Sequence, residues 1–187
     1  MTTTKGLADT MGHNGKNRAD GRTKTAAGES GEDIIALMEL LFFAYRDFTA
    51  GPDAILAEIG FGRAHHRIIH FIGRNPGLRI SQLLEILGIT KQSLGRVLRE
   101  LIERGYVYQQ EGAQDRRQRL LFLTRKGKAL HERLSAPQIA RVSQAMAQAG
   151  PDAAGAFART LMGMVDPAQR PLVRQLTRKR KDTGDNG

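Results

Sequence analysis

Leu94, Val97, Leu98, Leu101 and Ile102 recur at i, i+3, i+4, i+7 and i+8, which is one face of an α-helix. Thr90 stands where an N-cap hydroxyl would accept from an orphan backbone N–H. Ile89 and Leu94 flank that cap at the spacing of a hydrophobic staple. Gly105 falls just past the end, where a left-handed residue closes a helix. Upstream, Leu83, Leu87 and Ile89 form a shorter stripe, with Ser81 as its expected cap and Gly88 as its end. The spacing predicts a helix, a tight turn and a second helix. Leu84 is large for so close an approach, so either the pair is splayed or Leu84 points into a third helix. Next, Val107 to Glu111 and Gln118 to Thr124 are rich in β-formers around a turn at Gly112, which predicts a hairpin.

The flanking segments are helical in period. Between Glu32 and Ala50, residues Ile34, Ile35, Leu37, Met38, Leu41, Phe42, Tyr45 and Phe48 cover more than one face, a surplus that suggests burial in a subunit interface. Gly51-Pro52 is expected to break this helix and to start a short one ending at Ile59. Arg63 to Gly73 is the next helix, with Ile68, Ile69, Phe71 and Ile72 inward. Asn75-Pro76-Gly77 is a turn, and Leu78 to Ile80 is placed to add a third short strand. Gly127 to Ala149 reads as one helix in which Pro137 should cause a kink or a split near Ala136. Asp152 to Val165 is a further helix, and a short amphipathic one is expected to reach Leu176, limited by Pro171. The expected fold is mainly α with a small antiparallel β wing: a winged helix-turn-helix over 62–126, dimerisation helices over 32–61 and 127–176, and disordered basic tails over 1–31 and 177–187.

Charge sharpens this picture. The chain of 187 residues has a net charge of +10, which favours a polyanionic partner. Residues 79–133 hold twelve Lys and Arg against six Asp and Glu, so the largest excess coincides with the helix pair and hairpin. No run of 18 apolar residues appears and the N-terminus lacks an apolar signal core, so a cytoplasmic protein without membrane contact is expected. Zero cysteines exclude thiol redox sensing and Cys-ligated metal. No phosphate loop, nucleophile motif or cofactor signature is present, and nothing points to an enzyme. His66 and His70 stand at i, i+4, a spacing that can chelate a metal. No carboxylate or cysteine lies nearby in sequence to complete the set, so no metal site is assigned.

The second helix's polar face carries the candidate chemistry. Lys91, Gln92, Ser93, Arg96 and Arg99 are donors suited to base edges and phosphates, and Gly95 leaves a gap among them. Asp115, Arg116, Arg117 and Arg119 lie at or near the hairpin tip. Two readings fit the tip: an arginine drawn into a narrow minor groove and steadied by Asp115, or a solvated basic loop.

The order of these parts, ending in "LTRKGKAL" from Leu123 to Leu130, resembles the MarR family of bacterial transcription regulators. The resemblance covers residues 32 to 165 and is most specific between Ser81 and Leu130. It implies a homodimer with interlocking terminal helices that binds double-stranded DNA at a pseudo-palindromic operator, usually as a repressor. It implies that Lys91 to Arg99 read the major groove and that Asp115 and Arg117 form the wing pair. Ser81, Thr90, Arg116 and Arg119 complete the candidate DNA-contacting set. The resemblance also implies a small aromatic ligand between dimer helices and DNA-binding lobe, in a crevice that Phe42, Tyr45, Phe61, His65, His66 and Ile69 would line; ordinary packing is an equal reading of those residues. A protein-binding winged helix and a non-specific architectural DNA binder are the competing functions.

Overall fold

The computed structural model describes residues 30–112, 115 and 117–177. Its elements are α1 (Gly31–Ala57), α2 (Arg63–Arg74), β1 (Leu78–Arg79), α3 (Ile80–Leu87), α4 (Lys91–Glu103), β2 (Val107–Glu111), β3 (Arg119–Leu123), α5 (Arg125–Ala149), α6 (Ala153–Met164) and α7 (Arg170–Thr177). The chain divides into two units between Phe43 and Ala44.

In the first unit, α1 starts with a reciprocal cap. The Ser30 hydroxyl and backbone N–H donate to the Asp33 carboxylate at 2.7 and 2.8 Å, and Asp33 N–H donates back to the hydroxyl. Ile34, Ile35, Leu37, Met38, Leu40, Leu41, Phe42 and Phe43 are all exposed. Among the described residues, most of the apolar surplus seen in the sequence is thus exposed.

In the second unit, the core joins α2, α3, α4, the sheet and the start of α5. Leu56, Ile68, Ile69, Ile72, Leu83, Leu101, Leu121 and Leu134 are fully buried, each contributing about 1.5–3 kcal/mol of hydrophobic stabilisation. Leu84 is half-buried against this cluster and points into it. The sheet has the order β1-β3-β2, all antiparallel, with Leu78 opposite Leu121 and Val107 opposite Leu123.

Three expectations need correction. Gly51-Pro52 does not break α1, which runs on to Ala57. Pro52 is buried, and the Phe48 carbonyl, which would have accepted from a residue-52 N–H, accepts instead from Gln138 Nε2 at 3.4 Å. A side chain from α5 thus replaces the missing helical donor. Pro137 does not split α5 either; it stands where Gly51 comes close, and a Cβ on Gly51 would be 3.0 Å from it. Ser81 is not the cap of α3. The cap is Arg79, two residues earlier, where Gln82 Oε1 accepts from the Arg79 N–H at 3.0 Å, leaving Ser81 exposed in the first turn. Pro171 lies in the first turn of α7, where its missing N–H has no helical acceptor to lose.

Candidate nucleic-acid interface

Helix α4 is built to show one face. Leu94, Val97, Leu98 and Leu101 are buried, so Lys91, Gln92, Ser93, Arg96 and Arg99 must face outward, and all five are exposed. The start is fixed by Thr90, whose Oγ1 accepts from Ser93 N–H at 3.2 Å. Gly88, at φ 61, and Gly105, at φ 73, take the left-handed conformations that end α3 and α4. Gln92, Ser93, Gly95, Arg96 and Arg99 line an open groove of 570 Å³.

The cations on this face are unpaired. Among the described residues, Lys91, Gln92, Arg96 and Arg99 make no side-chain hydrogen bond or ion pair. Some arginines elsewhere do find carboxylates: Arg63 with Asp53, Arg104 with Glu100, Arg119 with Glu111 and Arg133 with Glu58, at 2.7, 3.2, 2.9 and 3.1 Å. Free cations gathered on a rigid helix face form an electrostatic footprint for phosphate and base edges.

A polar clamp holds the other side of α4. Gly62 N–H donates to His65 Nδ1 at 3.1 Å, which leaves Nε2 as the proton-bearing nitrogen facing Glu100 Oε2 at 2.9 Å. His65 also stacks on Phe61 with ring centroids 4.3 Å apart. The bond from His65, then that from Arg104, holds the Glu100 carboxyl below its usual range. Arg104 lies over the Phe61 ring at 4.1 Å and donates to the Ile59 carbonyl at 2.8 Å. The angle of α4 is therefore set from α2 and the segment before it, by groups that its own apolar stripe does not reveal.

The wing is anchored at its base. Thr124 Oγ1 donates to the Gly105 carbonyl at 2.7 Å and accepts from Gly127 N–H at 3.0 Å, so it ties the turn after α4 to the start of α5. Lys126 Nζ donates to the Arg104 carbonyl at 3.0 Å and lies 4.2 Å from the Tyr106 ring centroid. Gly127 packs so tightly that a Cβ would come within 2.0 Å of the Tyr106 oxygen. The sequence "LTRKGKAL" is thus a joint between recognition element, wing and α5. At the tip, the Asp115 carboxylate accepts from Arg117 N–H at 2.9 Å and from Gln118 Nε2 at 3.4 Å. Asp115 shapes the turn through the backbone of Arg117; among the described residues it pairs with no guanidinium, and the Arg117 side chain stays exposed. Arg119 is committed to Glu111 across the strands. Arg116 and the two terminal tails lie outside the described residues.

Comparison with known proteins agrees with this geometry. The MarR family model matches residues 59–118, which hold the helix pair and the first strand of the hairpin. The HTH-type transcriptional regulator PetP of Rhodobacter capsulatus is 52% identical over 133 residues, covering 71% of this chain and 80% of PetP. The chain belongs to the MarR family. Its fold is shared with solved winged-helix members. A MarR mutant from E. coli complexed with operator DNA superposes with TM-score 0.54 at 19% identity, over 72% of this chain and 97% of that one. NadR in complex with 4-hydroxyphenylacetate gives 0.55 at 21%, over 74% and 91%. The chain is thus a MarR-family, DNA-binding transcription regulator.

The crevice residues expected of a MarR relative are only partly brought together. Tyr45 and His66 line a cavity of 220 Å³ with Phe48, Arg63, His70 and Gln138. Phe61 and Ile69 are in the core and His65 is in the α4 clamp, so none of these three lines that cavity. Phe42 is exposed in the first unit. Sequence reading missed His70, Phe48 and Gln138, because the period of α2 does not reveal that α5 lies opposite. His70 and His131 meet with ring centroids 5.6 Å apart, and His131 Nε2 and Ser135 Oγ are buried without a partner. Burial first, then His131, His66 and Arg74, push His70 down to about 4. Among the described residues no group of three or more His, Cys, Asp or Glu could hold a metal, and no helix is long and apolar enough to cross a membrane.

Proposed function

We propose that this MarR-family chain is a sequence-specific repressor that binds a pseudo-palindromic operator as a homodimer in the bacterial cytoplasm. The observation that carries the reading is the set Lys91, Gln92, Arg96 and Arg99 gathered on one exposed helix face with no side-chain partner among the described residues. Arg96 and Arg99 contact base edges or backbone in the major groove, Lys91, Gln92 and Ser93 act from the N-terminal turn, and Arg117 enters the minor groove beside it. The uncovered apolar residues of α1, with Phe157, Leu161 and Met164 of α6, support assembly with a second copy. Two-fold symmetry then places two α4 helices about one duplex turn apart. Titrating the protein against the DNA upstream of its own gene, with a scrambled duplex as competitor, tests this. Binding that survives the competitor supports a regulator; equal, salt-sensitive binding to both duplexes favours an architectural role, and binding to neither favours a protein partner.

Release by a small aromatic ligand is the second part of the reading. The cavity between Tyr45, Phe48, His66 and His70 offers aromatic walls and imidazole donors, with Arg63, already paired with Asp53, 5.8 Å from the Tyr45 ring centroid at its edge. The structural neighbour NadR was solved with 4-hydroxyphenylacetate, which supports a phenolic class. A ligand acts here only by binding one spacing of the two lobes more tightly than the other. Operator affinity indifferent to a broad phenolic panel would contradict this part.

A further inference from the structure

Gly95 sits in the middle of α4 on its exposed face. Glycine is unfavourable in a helix interior, because it loses the most backbone freedom on ordering. Neither common structural reason for tolerating one applies here. The backbone is not left-handed: among the described residues the positive-φ glycines are Gly60, Gly77, Gly88, Gly105 and Gly150. Nor is the site crowded, for a Cβ on Gly95 would meet nothing within 4 Å, whereas one on Gly127 would strike the Tyr106 carbonyl. The bare Cα is instead the floor of a notch walled by Gln92, Ser93, Arg96 and Arg99. A notch kept open at the expense of helix stability is explained by a group from outside the chain that approaches the backbone closely.

We propose that Gly95 is a specificity-determining position, and that its notch receives the C5-methyl of a thymine in the major groove. The inference rests on the reading of α4 as the recognition helix. The thymine methyl is the one apolar group that a base edge presents in that groove. It fits a floor of Cα–H, while the surrounding amide and guanidinium groups pair with the polar edges of neighbouring bases. A phosphate would be drawn to the guanidinium groups and would leave that floor without a partner.

In vitro selection from random duplexes with the wild-type chain supplies the preferred site. Thymines of each half-site are then replaced singly by uracil, which lacks only the methyl. Loss of that methyl at one position per half-site should weaken wild-type binding about fourfold. Gly95→Ala fills the notch with its own methyl and should bind the thymine site about tenfold more weakly, the cost of overpacking a filled contact, and be indifferent to the same replacement. Because alanine is the better helix former, Gly95→Ala should also melt at a higher temperature, which separates lost recognition from lost folding. A Gly95→Ala chain that keeps wild-type affinity, or that shows the wild-type uracil penalty, overturns the inference. If the wild-type chain selects no site, the recognition-helix reading fails and takes this inference with it.

Discussion

Gln138 Nε2 donates to the carbonyl of Phe48, the acceptor that Pro52 leaves without a helical partner. The contact joins α5 to α1 and explains how a buried proline survives inside a helix. Gln138→Met keeps the side-chain length and removes the donor. It should lower stability by about 1 kcal/mol in urea unfolding at fixed protein concentration. In a Pro52→Ala background, a restored backbone N–H serves the carbonyl and the same change should cost less. Strict additivity of the two substitutions would show that the contact is incidental.

Gly127 has no freedom to carry a side chain. A Cβ would lie 2.0 Å from the Tyr106 oxygen, and backbone on one side of that contact must move. Gly127→Ala should destabilise the chain by roughly 2–3 kcal/mol, in the range of overpacked sites. It should also loosen the wing, seen as faster amide exchange at Tyr106 and Thr124. A melting curve equal to the wild type would refute the joint.

His70 makes stability depend on acidity. Its folded value is held near 4 against an ordinary 6.5, so between those limits the unfolded chain takes up a proton that the folded chain refuses. Stability is therefore full above about pH 6.5 and falls as the pH drops toward 4. His66 and His131, lowered by the same burial, act in the same direction. After allowance for partial exposure, His70 should account for roughly 2 kcal/mol of that fall. His70→Gln should flatten the curve of unfolding free energy between pH 4 and 6.5; an unchanged slope would place the proton uptake elsewhere.

Arg117 is exposed at the tip while Asp115 holds its backbone. Arg117→Ala should weaken DNA binding and reduce the slope of log affinity against log salt by about one. Asp115→Asn should weaken binding less, through a looser turn. Unchanged affinity and slope for Arg117→Ala would remove the wing from the contact.

Much of this was legible in the sequence, because the helix pair and hairpin are specified locally. The stripe from Leu94 to Ile102, the Thr90 cap and the closing glycines each act within a few residues, and each element forms where its period implies. What was not legible depends on distant partners. Pro52 reads as a breaker until Gln138, 86 residues away, is seen at the freed carbonyl. His65 reads as a pocket residue until Glu100 is seen at its Nε2. Ser81 reads as the cap until Gln82 is seen to accept from the Arg79 N–H, which places the cap two residues earlier. The exposed donors of α4 were legible for the opposite reason: among the described residues Lys91, Gln92, Arg96 and Arg99 have no side-chain partner, so only their spacing on α4 matters.

The most direct test is the arrangement of sites recovered by in vitro selection from random duplexes. A symmetric pair of α4 helices should enrich two inverted half-sites with centres about 10–10.5 base pairs apart, or a multiple of that spacing. Two protomers should bind each duplex, and Arg96→Ala or Arg99→Ala should abolish the enrichment. Recovery of unrelated sequences, or of a single half-site bound by one protomer, would contradict a dimeric regulator reading DNA through this helix.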